Sequence, residues 1–118
     1  MYGLDPDIDL SFLKNREVIQ VAVGLYQMVF AFDGEITVSV EGRCERRSSS
    51  FSTVWIPDPF GDAAGMLSLL GQTVVEVQRH GRDVLELIFA SGDHLLVFDD
   101  CKEYESYQIT RPGETIVV

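Results

Sequence analysis

The chain repeats itself. Residues 12–41 and 69–99 carry the same succession of apolar alternation: Ile19-x-Val21-x-Val23 matches Thr73-x-Val75-x-Val77, and Met28-x-Phe30-x-Phe32 matches Leu85-x-Leu87-x-Phe89. Ile36-x-Val38-x-Val40 then matches Leu95-Leu96-Val97-Phe98, each after a glycine turn, Asp33-Gly34-Glu35 or Ser91-Gly92-Asp93. A period of two marks a strand with one face in a core. Three such strands joined by short turns make a β-meander, and a copy about 57 residues on makes two. The pattern predicts a mainly β protein with one short helix: an antiparallel β-sandwich or open barrel built from two pseudo-repeated β-meanders.

The expected strands run at about 17–23, 26–32 and 36–43, then 72–79, 83–90 and 93–99. Asp33-Gly34 favours a tight hairpin because both positions tolerate positive φ. Val29 and Ala31 oppose the Phe30/Phe32 face, and Leu95 to Phe98 is unbroken, so these strands are expected to be covered on both sides. Between the copies, Arg43 to Ser52 interrupts the alternation; Ser48 to Ser50 favour a flexible loop or strand edge, and the segment reads as a mobile connector. Phe51 to Ile56 alternates again. Asp58-Pro59 is a helix start, predicting a helix over about 60–69 that Gly71 ends. Asp9 is placed to cap a short turn over Leu10–Leu13. Glu105 to Thr110 and Thr115 to Val118 read as two last strands. The whole is expected to be one domain, 1–118, with repeats at about 12–43 and 69–99 linked by a strand and short helix at about 51–70.

A net charge of −10 argues against binding nucleic acid, which needs a basic surface to displace counterions. No stretch approaches the roughly 20 apolar residues of a membrane-crossing helix, and the first residues lack the pattern of a signal peptide. A cytoplasmic protein is expected. Its two cysteines, Cys44 and Cys101, each follow the third strand of a copy, and the duplication can bring them near one another. Neither has a CxxC partner or a downstream HxxxH, so no zinc site is expected, and reduced thiols are the default.

Few residues suggest chemistry. His80 and His94 are the only histidines; both fall at strand ends, apart from any nucleophile motif, and read as exposed turn residues. Asp99-Asp100-Cys101-Lys102-Glu103-Tyr104-Glu105 is the densest acidic run, but it lacks the alternation of a calcium loop. Asp99 and Asp100 are adjacent and point to opposite faces of a strand, a poor arrangement for shared acid–base work. Arg43, Arg46 and Arg47 with Ser48 to Ser50 form the one basic patch, able to receive a phosphate or an acidic partner. Trp55 fits either a binding anchor or the edge of the core. No catalytic residue, cofactor site or metal site is assigned.

Three strings in the second half, Leu70-Gly71-Gln72-Thr73-Val74, Leu85-x-Leu87-x-Phe89-x-x-Gly92-x-x-Leu95-x-Val97 and Tyr104-Glu105-Ser106-Tyr107-Gln108-Ile109, resemble a family of small bacterial proteins whose domain has no assigned function. The late Tyr-Glu-Ser-Tyr segment is the distinctive part. The resemblance assigns no catalytic residue; some small acidic proteins of this type look like immunity proteins that neutralise a toxin.

The sequence therefore points to a non-enzymatic acidic β-domain acting through protein–protein contact, of immunity or regulatory type, against a protein partner or itself as a homodimer. The expected contact residues are Trp55, Asp99, Asp100, Glu103, Tyr104, Glu105 and Tyr107, with the Thr115–Val118 edge available for strand pairing. The alternative is a small-molecule-binding or enzymatic barrel with a pocket between the halves, lined by Tyr26, Tyr104, Tyr107, His80 or His94.

Overall fold

A computed structural model describes residues 4–57, 63–99 and 106–118. Ten strands form two antiparallel five-stranded sheets. The first meander is β1 (Val18–Val23), β2 (Met28–Phe32) and β3 (Ile36–Val40); a hairpin of β4 (Arg43–Arg47) and β5 (Ser52–Trp55) follows. The second meander is β6 (Val74–His80), β7 (Val84–Phe89) and β8 (His94–Phe98), followed by the hairpin of β9 (Tyr107–Arg111) and β10 (Glu114–Val117). The sheets have the orders β1-β2-β3-β9-β10 and β5-β4-β8-β7-β6. Each sheet thus joins one meander to the hairpin that follows the other. Both sheets keep free edges, so the fold is an open sandwich and not a closed barrel.

The duplication extends further than the apolar pattern indicates. β1 and β6 both carry an irregularity in register, between Val18 and Gln20 and between Val74 and Glu76. These β-bulges lie at equivalent positions of the two edge strands. Before β1 lies a 3-10 turn, Ser11–Leu13, and before β6 a single helical turn, α1 (Ala64–Leu67). Leu13 and Leu69 plug the core at matching places, each fully buried. The Asp9 carboxylate accepts the Ser11 amide at 2.9 Å from one residue before the N-cap position, which Leu10 occupies without a side-chain cap bond. The helix expected over about 60–69 is shorter: among the described residues of that stretch only Ala64–Leu67 is α-helical, and residues 58–62 lie outside them.

A second correction concerns Arg43 to Ser52. Arg43–Arg47 is not a connector but the strand β4, paired on one side with β5 and on the other with β8. Its inward positions are Cys44 and Arg46 and its outward ones Arg43, Glu45 and Arg47, a regular alternation disguised because one inward residue is charged. In register Cys44 faces Val97 as Tyr107 faces Val40, so Tyr107 is the counterpart of Cys44; Cys101 lies outside the described residues. The β2–β3 turn also differs slightly, its positive φ falling on Gly34 and Glu35 and not on Asp33.

One apolar cluster fills the space between the sheets, with Phe30, Phe32, Leu87 and Phe89 all buried. Two-sided covering holds only in part. Leu96 is buried on the outer face of the second sheet, whereas Val29 and Ala31 on β2 are half-buried.

Candidate functional site

Two surfaces stand out, and the duplication positions both. The first is the outer face of the second sheet. In register, Glu86 on β7 lies between Leu96 on β8 and Gln78 on β6. The residues two further along those neighbours, His94 and His80, occupy the diagonal positions on the same face, within reach of a long side chain. Both reach Glu86: His80 Nε2 lies 2.6 Å from Oε1 and His94 Nδ1 lies 2.5 Å from Oε2. Glu86 is only 8% exposed although it sits on an outer face. Burial pushes its carboxyl pKa up, but the hydrogen bonds and charge of His80 and His94 outweigh that and hold it below the usual carboxylate range. An ionised carboxylate only accepts, so both imidazoles donate to it. That fixes which ring nitrogen carries hydrogen and leaves His80 Nδ1 and His94 Nε2 as the outward nitrogens.

Around this clamp the charges are paired. Arg47 Nε donates to Glu45 Oε1 at 2.9 Å, and the Arg43 guanidinium lies 3.7 Å over the Phe98 ring. A surface depression of about 300 Å³, lined by Arg47, Ser48, Ser49, Glu86, Gly92 and His94, opens beside the clamp. Arg46 points the other way, inward, and donates through Nε and Nη2 to Asp93 Oδ2 at 3.2 and 2.9 Å. Gln72 Nε2 adds a third bond to that oxygen at 3.1 Å. Burial raises the Asp93 carboxyl, but the bonds from Gln72 and Arg46 prevail and hold it low. Of the basic patch, Arg46 is thus held inward by Asp93, while Arg43 and Arg47 lie on the outer face beside Phe98 and Glu45. Among the described residues no three His, Cys, Asp or Glu side chains converge to hold a metal ion. A second depression, of about 330 Å³, lies between the N-terminal segment and β6, with Asp9, Lys14, Glu76 and Arg79 in its wall.

The second surface is the outward side of β1. Ile19 is 57% exposed, Val23 49%, Leu25 58% and Tyr26 66%. All four lie on one edge strand and the turn that follows it. Apolar side chains grouped on a sheet edge are unusual in a solitary protein.

The residues singled out from sequence fare unevenly. Trp55 is buried beside Cys44, and Tyr107 is buried against Val40; neither presents its side chain to a partner. Asp99 accepts the Ser106 hydroxyl at 2.8 Å. Asp100, Glu103, Tyr104 and Glu105 lie outside the described residues. Tyr26, Tyr107, His80 and His94 do not converge, since one is on a turn, one in the core and two on the outer face. Sequence reasoning missed Glu86 altogether. Its signal is parity across two hairpins: residues 80, 86 and 94 share a face once the turns at Gly81 and Gly92 are fixed.

The fold defines an all-β protein, an internally duplicated open sandwich whose halves exchange hairpins. The chain belongs to the family of unknown function DUF6188, whose model matches residues 10–118. No curated protein and no solved structure matches it. Among the described residues no helix is long and apolar enough to cross a membrane.

Proposed function

We propose that this protein is a non-enzymatic binding domain that acts through protein–protein contact. The observation that carries the reading is the apolar β1 edge, where Ile19, Val23, Leu25 and Tyr26 are all exposed. An edge strand offers unpaired backbone groups and a row of side chains, which is how extended partners are bound. The filled core supports the same reading, because the space between the sheets where a ligand would lie is occupied by Phe30, Phe32, Leu87 and Phe89. The cytoplasm is the proposed location, in keeping with Cys44, a buried free thiol. A regulatory or immunity role is one form such contact can take.

The test is site-specific photo-cross-linking in cells of the native host. A photoreactive phenylalanine analogue replaces Tyr26, with a second version at Gln78, on the opposite sheet, as control. Discrete protein adducts from position 26 alone are expected. Their absence at position 26, with the protein folded and abundant, would overturn the reading.

A further inference from the structure

We propose that the protein forms a two-fold dimer in which β1 pairs antiparallel with β1 of a second copy. This rests on the binding reading above and names its partner. The duplication supplies an internal comparison, because β1 and β6 are equivalent edge strands. The β6 edge is guarded. It carries Glu76, Arg79 and His80, and the N-terminal segment lies against it, with the Leu4 amide donating to Arg82 O at 2.9 Å and Arg79 Nη1 to Asp5 O at 2.7 Å. Charges and a covering segment are the usual protections of a sheet edge. Its twin has neither. Val18 is tied to Gln72 and Gly71 at its bulge as Val74 is to Asn15 and Arg16, and among the described residues neither strand makes an outward backbone bond beyond that point, so the two edges differ in their side chains and in the segment beside β6.

Charge selects the occupant. Copies of a chain with net charge −10 repel each other, and the repulsion is least across a surface free of charge. Val18 to Gln27 is ten residues without one. A basic partner would gain nothing from that strip. The strand is also self-complementary: antiparallel pairing centred on Val21 places Ile19 of each copy opposite Val23 of the other and Gln20 opposite Ala22. Pairing in this register covers residues 18–24 and buries Ile19 and Val23 of both copies, with Leu25 and Tyr26 at its ends beside Glu17 and Arg16; the strand-to-strand hydrogen bonds add to the apolar contact. The contact is isologous and closes, giving a dimer and not a filament.

The experiment is the mass of the purified full chain in solution, by size-exclusion chromatography with light scattering over a dilution series. Twice the chain mass is expected. Ile19→Lys with Val23→Lys sets lysine against lysine across the interface and is expected to halve the mass. Ile19→Lys with Val23→Glu sets the new lysine of one copy against the new glutamate of the other and is expected to restore the dimer. All these positions are exposed, so thermal melts are expected to show both variants folded. A monomeric wild type overturns the dimer but leaves the binding reading to the cross-linking at position 26, where an adduct with a different protein would sustain it. A dimer that survives the double lysine substitution overturns β1 as the interface and points to another edge, β5 or β10. A lysine–glutamate variant that stays monomeric overturns the antiparallel register.

Discussion

Glu17 and Thr73 pair in an isolated antiparallel bridge between the two halves, and the bulge positions make each the other's counterpart in the duplication, 56 positions apart and two from the match of the apolar pattern. The bonds beside them obey the same exchange. The Asn15 amide donates to Val74 O at 2.7 Å and the Gly71 amide to Val18 O at 2.8 Å; the Val18 amide donates to Gln72 O and the Val74 amide to Arg16 O. Every partner in the first half becomes its equivalent in the second when donor and acceptor swap halves. A pseudo-two-fold axis therefore passes through the Glu17–Thr73 bridge.

Because hairpins are exchanged across this axis, neither half is a complete folding unit. β4 and β5 join a sheet only through β8, and β9 and β10 only through β3. Residues 1–57 and 58–118 made as separate chains are each expected to be unfolded by circular dichroism. Mixed, they are expected to form a one-to-one complex with the strand signal of the intact protein. Cooperative melting of either fragment alone would contradict the exchange.

The meanders and the sandwich were legible because their residues obey a period of two, set by which face meets the core. β4 was not, because Arg46 occupies an inward position. Its charge is matched by Asp93, a residue 47 positions away, and no local pattern reveals such a partner. The titratable clamp was hidden for a related reason. Glu86 is flanked by Leu85, Leu87 and Ile88 in a strand otherwise read for its apolar face, and its two histidines meet it only through the register of two hairpins. Trp55 shows the converse: its residue type fits a surface anchor or the core edge alike, and its place opposite Cys44 sends it into the core.

Breaking the Arg46–Asp93 pair is expected to be costly. Both side chains are about nine-tenths buried, so Arg46→Met leaves a buried carboxylate with only Gln72 to satisfy it. A loss of about 3 kcal/mol in urea unfolding is expected. Asp93→Asn added to Arg46→Met removes the stranded charge and is expected to recover part of the loss, which a double-mutant cycle measures.

Glu86 makes stability depend on pH in one direction. Its folded carboxyl titrates below its unfolded value of about 4.3, so on acidification the unfolded chain takes up the proton first. The stabilisation is fully present above that value and is lost as pH falls through it toward the folded value. Glu86→Gln has no such proton to bind. Wild type is expected to lose its advantage over Glu86→Gln between about pH 4.5 and the folded value, as read from urea midpoints, whereas a constant gap would show that the clamp contributes nothing through ionisation.

Cys44 is expected to be inert in the folded protein. Burial pushes its thiol up to about 12, so almost no thiolate exists at neutral pH and the sulfur is shielded as well. In a Cys101→Ser background, a disulfide reagent at pH 8 is expected to label Cys44 only after denaturant is added. Rapid labelling of the native protein would mean that the sandwich opens at β4.

The two residues that end the turns before β1 and β6 test the pseudo-symmetry by energetics. Asn15 has φ 69° and Gly71, at the equivalent position, φ 80°. Both adopt the left-handed conformation so that their amides can cross to the other half. A side chain with a β-carbon resists this conformation, asparagine less than most. Nothing lies within 4 Å of where a Gly71 β-carbon would be, so Gly71→Ala carries a backbone cost alone, expected at about 1 kcal/mol. Asn15→Gly relieves the same strain but frees the unfolded chain, and these effects oppose each other. A small net change is therefore expected at position 15 beside a clear loss at position 71. If Gly71→Ala left the thermal midpoint unchanged, the crossed bonds at the axis would not depend on this conformation.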